Sequence, residues 1–191
     1  MVKVICVTGM RGGGKTVFGG IARSMGLPIY EMRTIVVEMM EKESIEISNR
    51  NIREYAKSIR EQFGKDVVAK KMVERIGNTH TKDDVIVIVG IRGMYETRTF
   101  REAFGEKNVI LLAIYAPPKL RYERLVKKEA GIKENNSYEE FLWSDEMELG
   151  FGVAKAIALA DVMIVNDGTI EEYTENCRKI IRKIIDGEVK V

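Results

Sequence analysis

The chain is poor in the residues that build metal centres and disulfide frameworks. Its 191 residues include two cysteines, one histidine and three prolines. Cys6 and Cys177 lie far apart and outside any Cys-x-x-Cys pair, and His80 is the single histidine. The sequence therefore offers no cluster with metal-ligand spacing and no disulfide framework, which is typical of a protein of the reducing cytosol.

Long apolar runs and a surplus of one charge are missing too. No stretch approaches the roughly 20 apolar residues of a membrane span, and 31 basic residues face 29 acidic ones for a net charge of +2. This balance favours neither nucleic acid nor an anionic membrane surface as a partner. The first residues lead straight into a predicted strand, so we expect no signal peptide and a cytoplasmic location. The length suits one α/β domain with small insertions, and an oligomer is left open.

What is present is a glycine-rich segment near the start of the chain, G-M-R-G-G-G-K-T at residues 9–16. It fits the phosphate-binding P-loop pattern G-x-x-x-x-G-K-[ST]. A mostly apolar run at 2–7 precedes it and helical apolar spacing at 17–25 follows it, which is the strand–loop–helix context that the pattern requires. A glycine-rich turn that matches by chance has no reason to lie in this context. We therefore predict that the protein binds a nucleoside triphosphate.

The chemistry of a P-loop assigns roles to these residues. Backbone N–H groups and the positive end of the following helix attract a polyphosphate. Lys15 can reach the β and γ phosphates of ATP, and the Thr16 hydroxyl can ligate Mg²⁺. The predicted nucleotide-binding residues are Gly9, Met10, Arg11, Gly12, Gly13, Gly14, Lys15, Thr16, Val17 and the distant Asn166.

Alternating strands and helices predict the fold. Five apolar runs indicate strands, at residues 2–7, 28–31, 85–89, 109–115 and 162–165. Strands that alternate with helices form a parallel sheet with helices on its faces. A P-loop after the first strand of such a five-stranded parallel sheet is typical of an α/β P-loop NTPase of the nucleoside-monophosphate-kinase type.

Two segments exceed what this core requires. The block from about 34 to 76 has helical spacing with breaks near 44–49 and at Gly64, so it predicts a helical insert, and a polar stretch after the fourth strand predicts a lid. Ser48 and Thr169 are predicted helix N-caps. We predict a single domain, with a core at 1–31, 78–126 and 150–191, a helical insert at 32–77 and a lid at 127–149.

Six stretches of the chain can be compared as a set with known kinases. They are V-T-G-M-R-G-G-G-K-T (7–16), G-K-D-V-V-A (64–69), V-G-I-R (89–92), R-Y-E-R-L (121–125), E-L-G-F-G (148–152) and A-D-V-M-I-V-N-D-G-T (160–169). Over nearly the whole chain the set resembles an archaeal family of P-loop kinases related to dephospho-coenzyme A kinase and adenylate kinase. The resemblance implies phosphoryl transfer from ATP to a small acceptor, which binds under the helical insert while the lid covers the phosphates. It also places the turn that begins at Asn166 beside the donor base, although a plain helix-capping turn fits the same residues.

Three arginines join Lys15 as predicted catalytic residues. Arg92 follows the third strand at its carboxyl end, where ligands of α/β proteins bind, and could hold an acceptor phosphate. Arg121 and Arg124 are three residues apart, so they share a helix face that could point at the β and γ phosphates; a solvated basic face is the open alternative. Arg11 and Arg60 could contact donor and acceptor phosphate, with ordinary surface charge as the default interpretation.

Carboxylates that the resemblance leads one to expect are missing. After strand two the family carries an acidic residue that orients the acceptor hydroxyl, and this chain has Thr34. At the end of strand three it carries an aspartate that holds a Mg²⁺-bound water, and this chain has Val89. An arginine of the first inserted helix is replaced by Val37. Loss of general-base help alone lowers a rate by about 10²- to 10⁴-fold.

These departures leave three functions open. The leading hypothesis is an ATP- and Mg²⁺-dependent kinase of a nucleotide or another small molecule. The second is a nucleotide-binding regulatory or assembly protein with weak or no kinase activity, and the third is an ATPase that uses water as acceptor. Carboxylates that could substitute are Glu31, Glu38 and Asp161. The acidic run at 145–148 is interpreted as a solvated helix face rather than a metal site.

Overall fold

A single parallel sheet organises the chain. The computed structural model describes residues 2–79, 85–128 and 137–189. Within these ranges the sheet has five strands in the order β2-β3-β1-β4-β5, and every neighbouring pair is parallel. The strands are β1 (Lys3–Thr8), β2 (Ile29–Glu31), β3 (Val85–Ile91), β4 (Val109–Tyr115) and β5 (Val162–Val165). The predicted fold class is confirmed, and the strand bounds differ from the prediction by no more than two residues at an end.

Helices connect the strands and cover the sheet. They are α1 (Lys15–Ser24), α2 (Met32–Lys42), α3 (Asn49–Phe63), α4 (Val67–Thr79), α5 (Met94–Phe104), α6 (Pro118–Lys128), α7 (Tyr138–Phe151), α8 (Val153–Ala158) and α9 (Ile170–Ile185). A short 3-10 turn at Glu106–Asn108 leads into β4. Helix α5 was not predicted from the sequence, because the buried side of this helix includes the polar residues Glu96 and Thr97 beside Phe100.

Each face of the sheet carries its own core. Alternate strand residues such as Cys6 and Ile88 pack with Met32 and Met72 from the inserted helices. The intervening strand residues pack on the other face with Phe18, Ile21, Tyr173 and Cys177 from α1 and α9. Because both faces are covered, the strands are apolar along their whole length rather than alternating.

Local signals in the sequence fix the ends of several helices. The Ser48 hydroxyl accepts a hydrogen bond from the Asn51 amide at 3.0 Å at the start of α3, and Gly64, with φ 101°, ends that helix. Thr169 and Glu172 form a reciprocal capping box at the start of α9. Both predicted N-caps are therefore confirmed, as are the breaks that divide the inserted segment into α2, α3 and α4.

The predicted lid is only partly covered by the structure. Residues 129–136 of the predicted lid lie outside the described residues, residues 127–128 end α6, and α7 contains most of the remainder. The assignment of 32–77 as an insert that binds the acceptor stays a prediction. No helix in the described ranges has the length and apolar character to cross a membrane.

Candidate nucleotide and acceptor site

The P-loop connects β1 to α1 through backbone that only glycine adopts easily. Gly9, Gly12 and Gly14 have φ values of 143°, 76° and 115°. A Cβ atom at Gly9 would lie 2.4 Å from the Ile114 carbonyl oxygen in β4, so the loop packs tightly on the neighbouring strand. These three glycines hold the loop in the form that a phosphate-binding turn needs.

Lys15 lies across this loop. Its ammonium group donates hydrogen bonds to the carbonyl oxygens of Gly9 at 2.5 Å and Met10 at 2.9 Å. The pKa of Lys15 is lowered to about 8, chiefly by burial; the carboxylate of Glu148 opposes this shift, and the arginines Arg92 and Arg121 add to it. A bound polyphosphate would supply negative charge that stabilises the protonated form of this lysine.

Thr16 follows Lys15 in the first turn of α1 and is exposed, as is Val17. An exposed hydroxyl beside the loop is free to act as an oxygen ligand for Mg²⁺, which prefers hard oxygen donors and keeps several waters. Among the described residues no group of three or more His, Cys, Asp or Glu side chains could hold a metal by itself. The donor set therefore fits a metal that is bound together with nucleotide phosphates.

Asn166, which follows β5, supports the loop together with Arg124 of α6. The Asn166 side-chain amide donates to the Gly13 carbonyl oxygen at 2.8 Å. Arg124 donates to the Asn166 backbone oxygen at 3.0 Å and to its side-chain oxygen at 3.1 Å. The Tyr173 hydroxyl donates to the Gly14 carbonyl oxygen at 3.1 Å. The structure thus brings Asn166 to the nucleotide loop, where its amide holds the Gly13 carbonyl group.

Arg121 ties the same loop to α7. It is 3% exposed, forms a bidentate pair with Asp145 at 2.9 and 2.6 Å, and donates to the Arg11 carbonyl oxygen at 3.0 Å. A Cβ atom at Gly12 would lie 2.8 Å from the Arg121 carbonyl oxygen, so α6 presses against the loop. The alternative of a solvated basic face is wrong for this residue.

Arg92, at the end of β3, meets a buried carboxylate of α7. Its Nε donates to Glu148 at 2.9 Å, and Arg53 of α3 approaches the other oxygen of Glu148 at 3.9 Å. Burial by itself would raise the pKa of Glu148, but Arg92, Lys15 and Arg53 outweigh it and hold this pKa below its usual range. Two arginines from different parts of the fold therefore contact one carboxylate, and the charge of Lys15 also favours its ionised form.

Sequence reasoning missed three residues here, which are Asp145 and Glu148 of α7 and Arg53 of α3. Glu148 is 7% exposed and Asp145 pairs with Arg121, so the interpretation of 145–148 as a solvated face is wrong for both. The signal was their spacing of three residues, which puts them on one side of α7. Arg53 was not singled out, because nothing local distinguishes it from the other charged residues of α3.

Arg60 has a structural partner instead of a surface position. It pairs with Glu96 at 2.7 Å, and both side chains are buried. The second oxygen of Glu96 accepts a hydrogen bond from the Arg92 amide at 2.7 Å. Surface charge is therefore the wrong interpretation of Arg60; its pair helps to fix the backbone at the end of β3. Arg11 lies close enough to Arg53 to help burial lower the pKa of Arg53 to about 10.

The two positions with missing carboxylates have other partners. The Thr34 hydroxyl donates to the Glu31 carbonyl oxygen at 2.7 Å and accepts from Arg75 at 3.1 Å. Val89 is 9% exposed and belongs to the core under α1. Neither position offers an acid or a base to the site.

Two of the three substitute carboxylates are engaged away from the P-loop. Glu38 forms a salt bridge with Arg75. Asp161 lies at the amino end of the edge strand β5, whereas the P-loop follows the carboxyl end of β1. There it accepts a hydrogen bond from the Leu111 amide at 2.7 Å and pairs with Arg101 at 3.1 Å. Glu31, at the carboxyl end of β2, is exposed and forms no salt bridge with another described residue.

Comparison with known proteins agrees with the P-loop and the sheet order described above. A family model described as an AAA domain matches residues 5–142. With the sheet order and the loop, this match makes the protein a P-loop NTPase, and its fold is that of small-molecule kinases. The P-loop domain implies nucleotide binding.

The chain belongs to the UPF0200 family. It is 36% identical over 182 residues to a UPF0200 protein of Thermococcus onnurineus, covering 95% of this chain and 98% of the relative. The sequence resemblance to an archaeal P-loop family is confirmed at this level.

Solved structures show the same fold at low identity. A dephospho-CoA kinase from Campylobacter jejuni is 19% identical with a TM-score of 0.60, covering 98% of this chain and all 100% of that chain. A shikimate kinase from Acinetobacter baumannii is 16% identical with a TM-score of 0.58, covering 100% of this chain and 97% of that chain. At these identities the likeness establishes the architecture alone.

Proposed function

We propose that this protein is an ATP- and Mg²⁺-dependent phosphotransferase whose acceptor is a small phosphomonoester, as in a nucleotide kinase. The observation that carries the proposal is the meeting of Arg53 and Arg92 with Lys15 around Glu148, at the carboxyl ends of the strands. A buried carboxylate that two arginines contact, and whose ionised form Lys15 also favours, marks a place where an anionic group is stabilised. Guanidinium groups suit phosphate, which would compete with Glu148 for them.

The environment of Thr34 supports a phosphate acceptor over a hydroxyl acceptor. A hydroxyl is helped by a general base, and Thr34 cannot act as one; its own hydroxyl is held by Glu31 and Arg75. A phosphomonoester has a second pKa of about 6, so its oxygen is largely ionised at neutral pH. Such an oxygen attacks without losing a proton, and the missing carboxylate then costs little.

The chain would act mainly by positioning and charge neutralisation. Lys15 would leave the carbonyl groups of Gly9 and Met10 to contact the donor phosphates, and Thr16 would hold Mg²⁺. When bound, that ion neutralises charge on the β and γ phosphates. Transfer breaks the bond between the γ phosphorus and its bridging oxygen and forms one to the acceptor phosphate oxygen, giving ADP and a diphosphate product.

The arginines divide these tasks in the proposal. Contact of Arg121 and Arg124 with the transferred phosphoryl group would require them to leave Asp145 and Asn166. We therefore assign these two arginines to holding the loop and Arg92 to the acceptor phosphate. The proposal includes ATP as the phosphoryl donor and Mg²⁺ as the metal ion bound with it.

The same contacts also favour a second function, that of a nucleotide-binding protein that transfers no phosphoryl group. Arg92 is already paired with Glu148, and Val89 and Thr34 offer no carboxylate. A protein that binds nucleotide, changes conformation and passes that change to a partner needs no more than this. Turnover decides between the two functions.

The deciding experiment measures ADP release from Mg-ATP with nucleoside monophosphates and, separately, with the hydroxyl acceptors dephospho-coenzyme A, shikimate and gluconate. We expect release that depends on a monophosphate, is lost in Lys15→Ala and is kept in Lys119→Ala, an exposed lysine of α6. Use of a hydroxyl acceptor would overturn the acceptor class. Release without acceptor would indicate an ATPase, and tight ATP binding without turnover would establish the nucleotide-binding alternative.

A further inference from the structure

Glu31 and Val89 occupy equivalent places on neighbouring strands. They are partners in the parallel register of β2 and β3, as are Ile29 and Val87. Partners in a parallel ladder point to the same face of the sheet, and Ile29, Val87 and Val89 all pack on the α1 side. Glu31 is still in extended conformation, so it continues this alternation and belongs to the α1 side as well.

Helix α1 has glycine at residues 19 and 20, one turn after Thr16. A Cβ atom at Gly19 would lie 3.5 Å from the Val89 side chain and 3.7 Å from that of Ile29, so the helix lies close on both strands. A Cβ atom at Gly20 would meet nothing within 4 Å. Gly19 thus sets the close approach of the helix to β2 and β3, and neither glycine adds a side chain at this point of the helix.

The close contact at Gly19 allows the levels of Thr16 and Glu31 to be compared. Helix α1 runs back from the P-loop, so moving toward its start means moving toward the carboxyl ends of the strands. The step from Ile29 to Glu31 covers roughly 6.6 Å along the strand. The step from Gly19 back to Thr16 covers roughly 4.5 Å along the helix and stays near the same face. Glu31 and Thr16 therefore reach a similar level on the same side of the sheet.

No other described contact engages the Glu31 carboxylate. It is the N-cap residue of α2, yet its side chain makes no capping hydrogen bond, and no salt bridge joins it to another described residue. Glu38 and Asp161, the two other substitutes, have cationic partners. An exposed carboxylate and an exposed hydroxyl are hard oxygen donors of the kind that Mg²⁺ and its waters prefer.

We propose that Glu31 replaces the carboxylate that strand β3 lacks at Val89, and orients the water ligands of a Mg²⁺ ion that Thr16 and the nucleotide phosphates hold. Glu31 is thus a positioning residue that acts through metal-bound water. The inference rests on the proposed function in that it needs a nucleotide-bound Mg²⁺, but it does not need an acceptor or turnover.

The test measures metal binding rather than activity. Mn²⁺, which can take the place of Mg²⁺ and gives an electron paramagnetic resonance signal, is titrated into the protein with saturating ADP. Partners in the outer shell of a metal are worth about 10- to 100-fold in affinity. We expect Glu31→Gln to weaken Mn²⁺ binding at least tenfold, while Glu41→Gln, at an exposed position of α2, leaves it unchanged. Equal Mn²⁺ affinity in Glu31→Gln and wild type would overturn the inference.

A second variant tests whether a carboxylate at residue 89 of β3 can take over the proposed role of Glu31 in β2. In the Glu31→Gln background, Val89→Asp should restore tight Mn²⁺ binding, and Val89→Asn should not. If the aspartate proves too costly to bury and the double variant does not fold, as melting without metal would show, the comparison of Glu31→Gln with Glu41→Gln still decides. Weak Mn²⁺ binding in Glu31→Gln, together with no phosphorylation of any acceptor by the wild type, would uphold this inference and refute the kinase proposal.

Discussion

The Nε of Arg92 donates to a carboxylate oxygen of Glu148 at 2.9 Å, which joins the end of β3 to α7 in a largely buried contact. Burial alone would lower the pKa of Arg92, but Glu148 and Glu96 outweigh it and raise this pKa. Lys15 also helps to hold the pKa of Glu148 low, so the lysine of the P-loop, the end of β3 and α7 are coupled electrostatically through one carboxylate.

Removal of that carboxylate should leave Arg92 and Arg53 without their shared anion. Breaking a buried pair on one side costs on the order of 3 kcal/mol, because an uncompensated charge stays buried. We expect Glu148→Gln to lower the melting temperature, and added AMP to restore more of the loss than it adds to wild type. Glu146→Gln, at an exposed position of α7, serves as the control. Equal effects of AMP on both variants would contradict a phosphate site at these arginines.

Stability should depend on pH through the same residue. The folded-state pKa of Glu148 lies below its unfolded value, which is about 4.3. Its contribution is therefore fully present above that unfolded value and is lost as the pH falls through the folded pKa. Urea unfolding of wild type should show a steeper loss of stability in this acidic window than that of Glu148→Gln. Parallel curves would mean that Glu148 is not held ionised by its partners.

The fold could be predicted because its signals are local. The P-loop spacing, the buried strands and the caps at Ser48 and Thr169 each depend on neighbouring residues alone. Helix α5 was missed because its buried side includes Glu96, whose partner Arg60 lies 36 residues away. A charged residue is assigned to the surface when its buried partner is distant in the sequence.

The site could be predicted in its outline but not in its contacts. The sequence placed Arg92 at a strand end, and the structure has it there. Sequence reasoning could not pair Arg121 with Asp145, which lie 24 residues apart. Nor could it bring Asn166 to Gly13, which lie 153 residues apart. Long-range pairs of this kind follow from helix orientation, which depends on packing over the whole chain.

Nucleotide binding should take up a proton at mildly alkaline pH. The pKa of Lys15 is lowered to about 8, chiefly by burial, so the free protein loses this charge as the pH rises past that value. Phosphates beside the ammonium group favour its charged form and raise the pKa again. Calorimetry of ADP binding at about pH 8.5, in buffers of different ionisation enthalpy, should show proton uptake that Lys15→Ala abolishes, with affinity falling by up to about tenfold per pH unit above 8. Binding heats that do not depend on the buffer would contradict this linkage.

Loss of Arg124 should loosen the P-loop through Asn166. The two hydrogen bonds from Arg124 fix Asn166, whose amide in turn holds the Gly13 carbonyl group. We expect Arg124→Ala and Asn166→Ala each to weaken ADP binding about tenfold, with Arg98→Ala, at an exposed position of α5, unchanged. Because both variants remove one chain of contacts, the double variant should be little weaker than either alone. If Arg124 instead contacts the transferred phosphoryl group, Arg124→Ala will lower turnover while ADP affinity stays at the wild-type value, and the two losses will add.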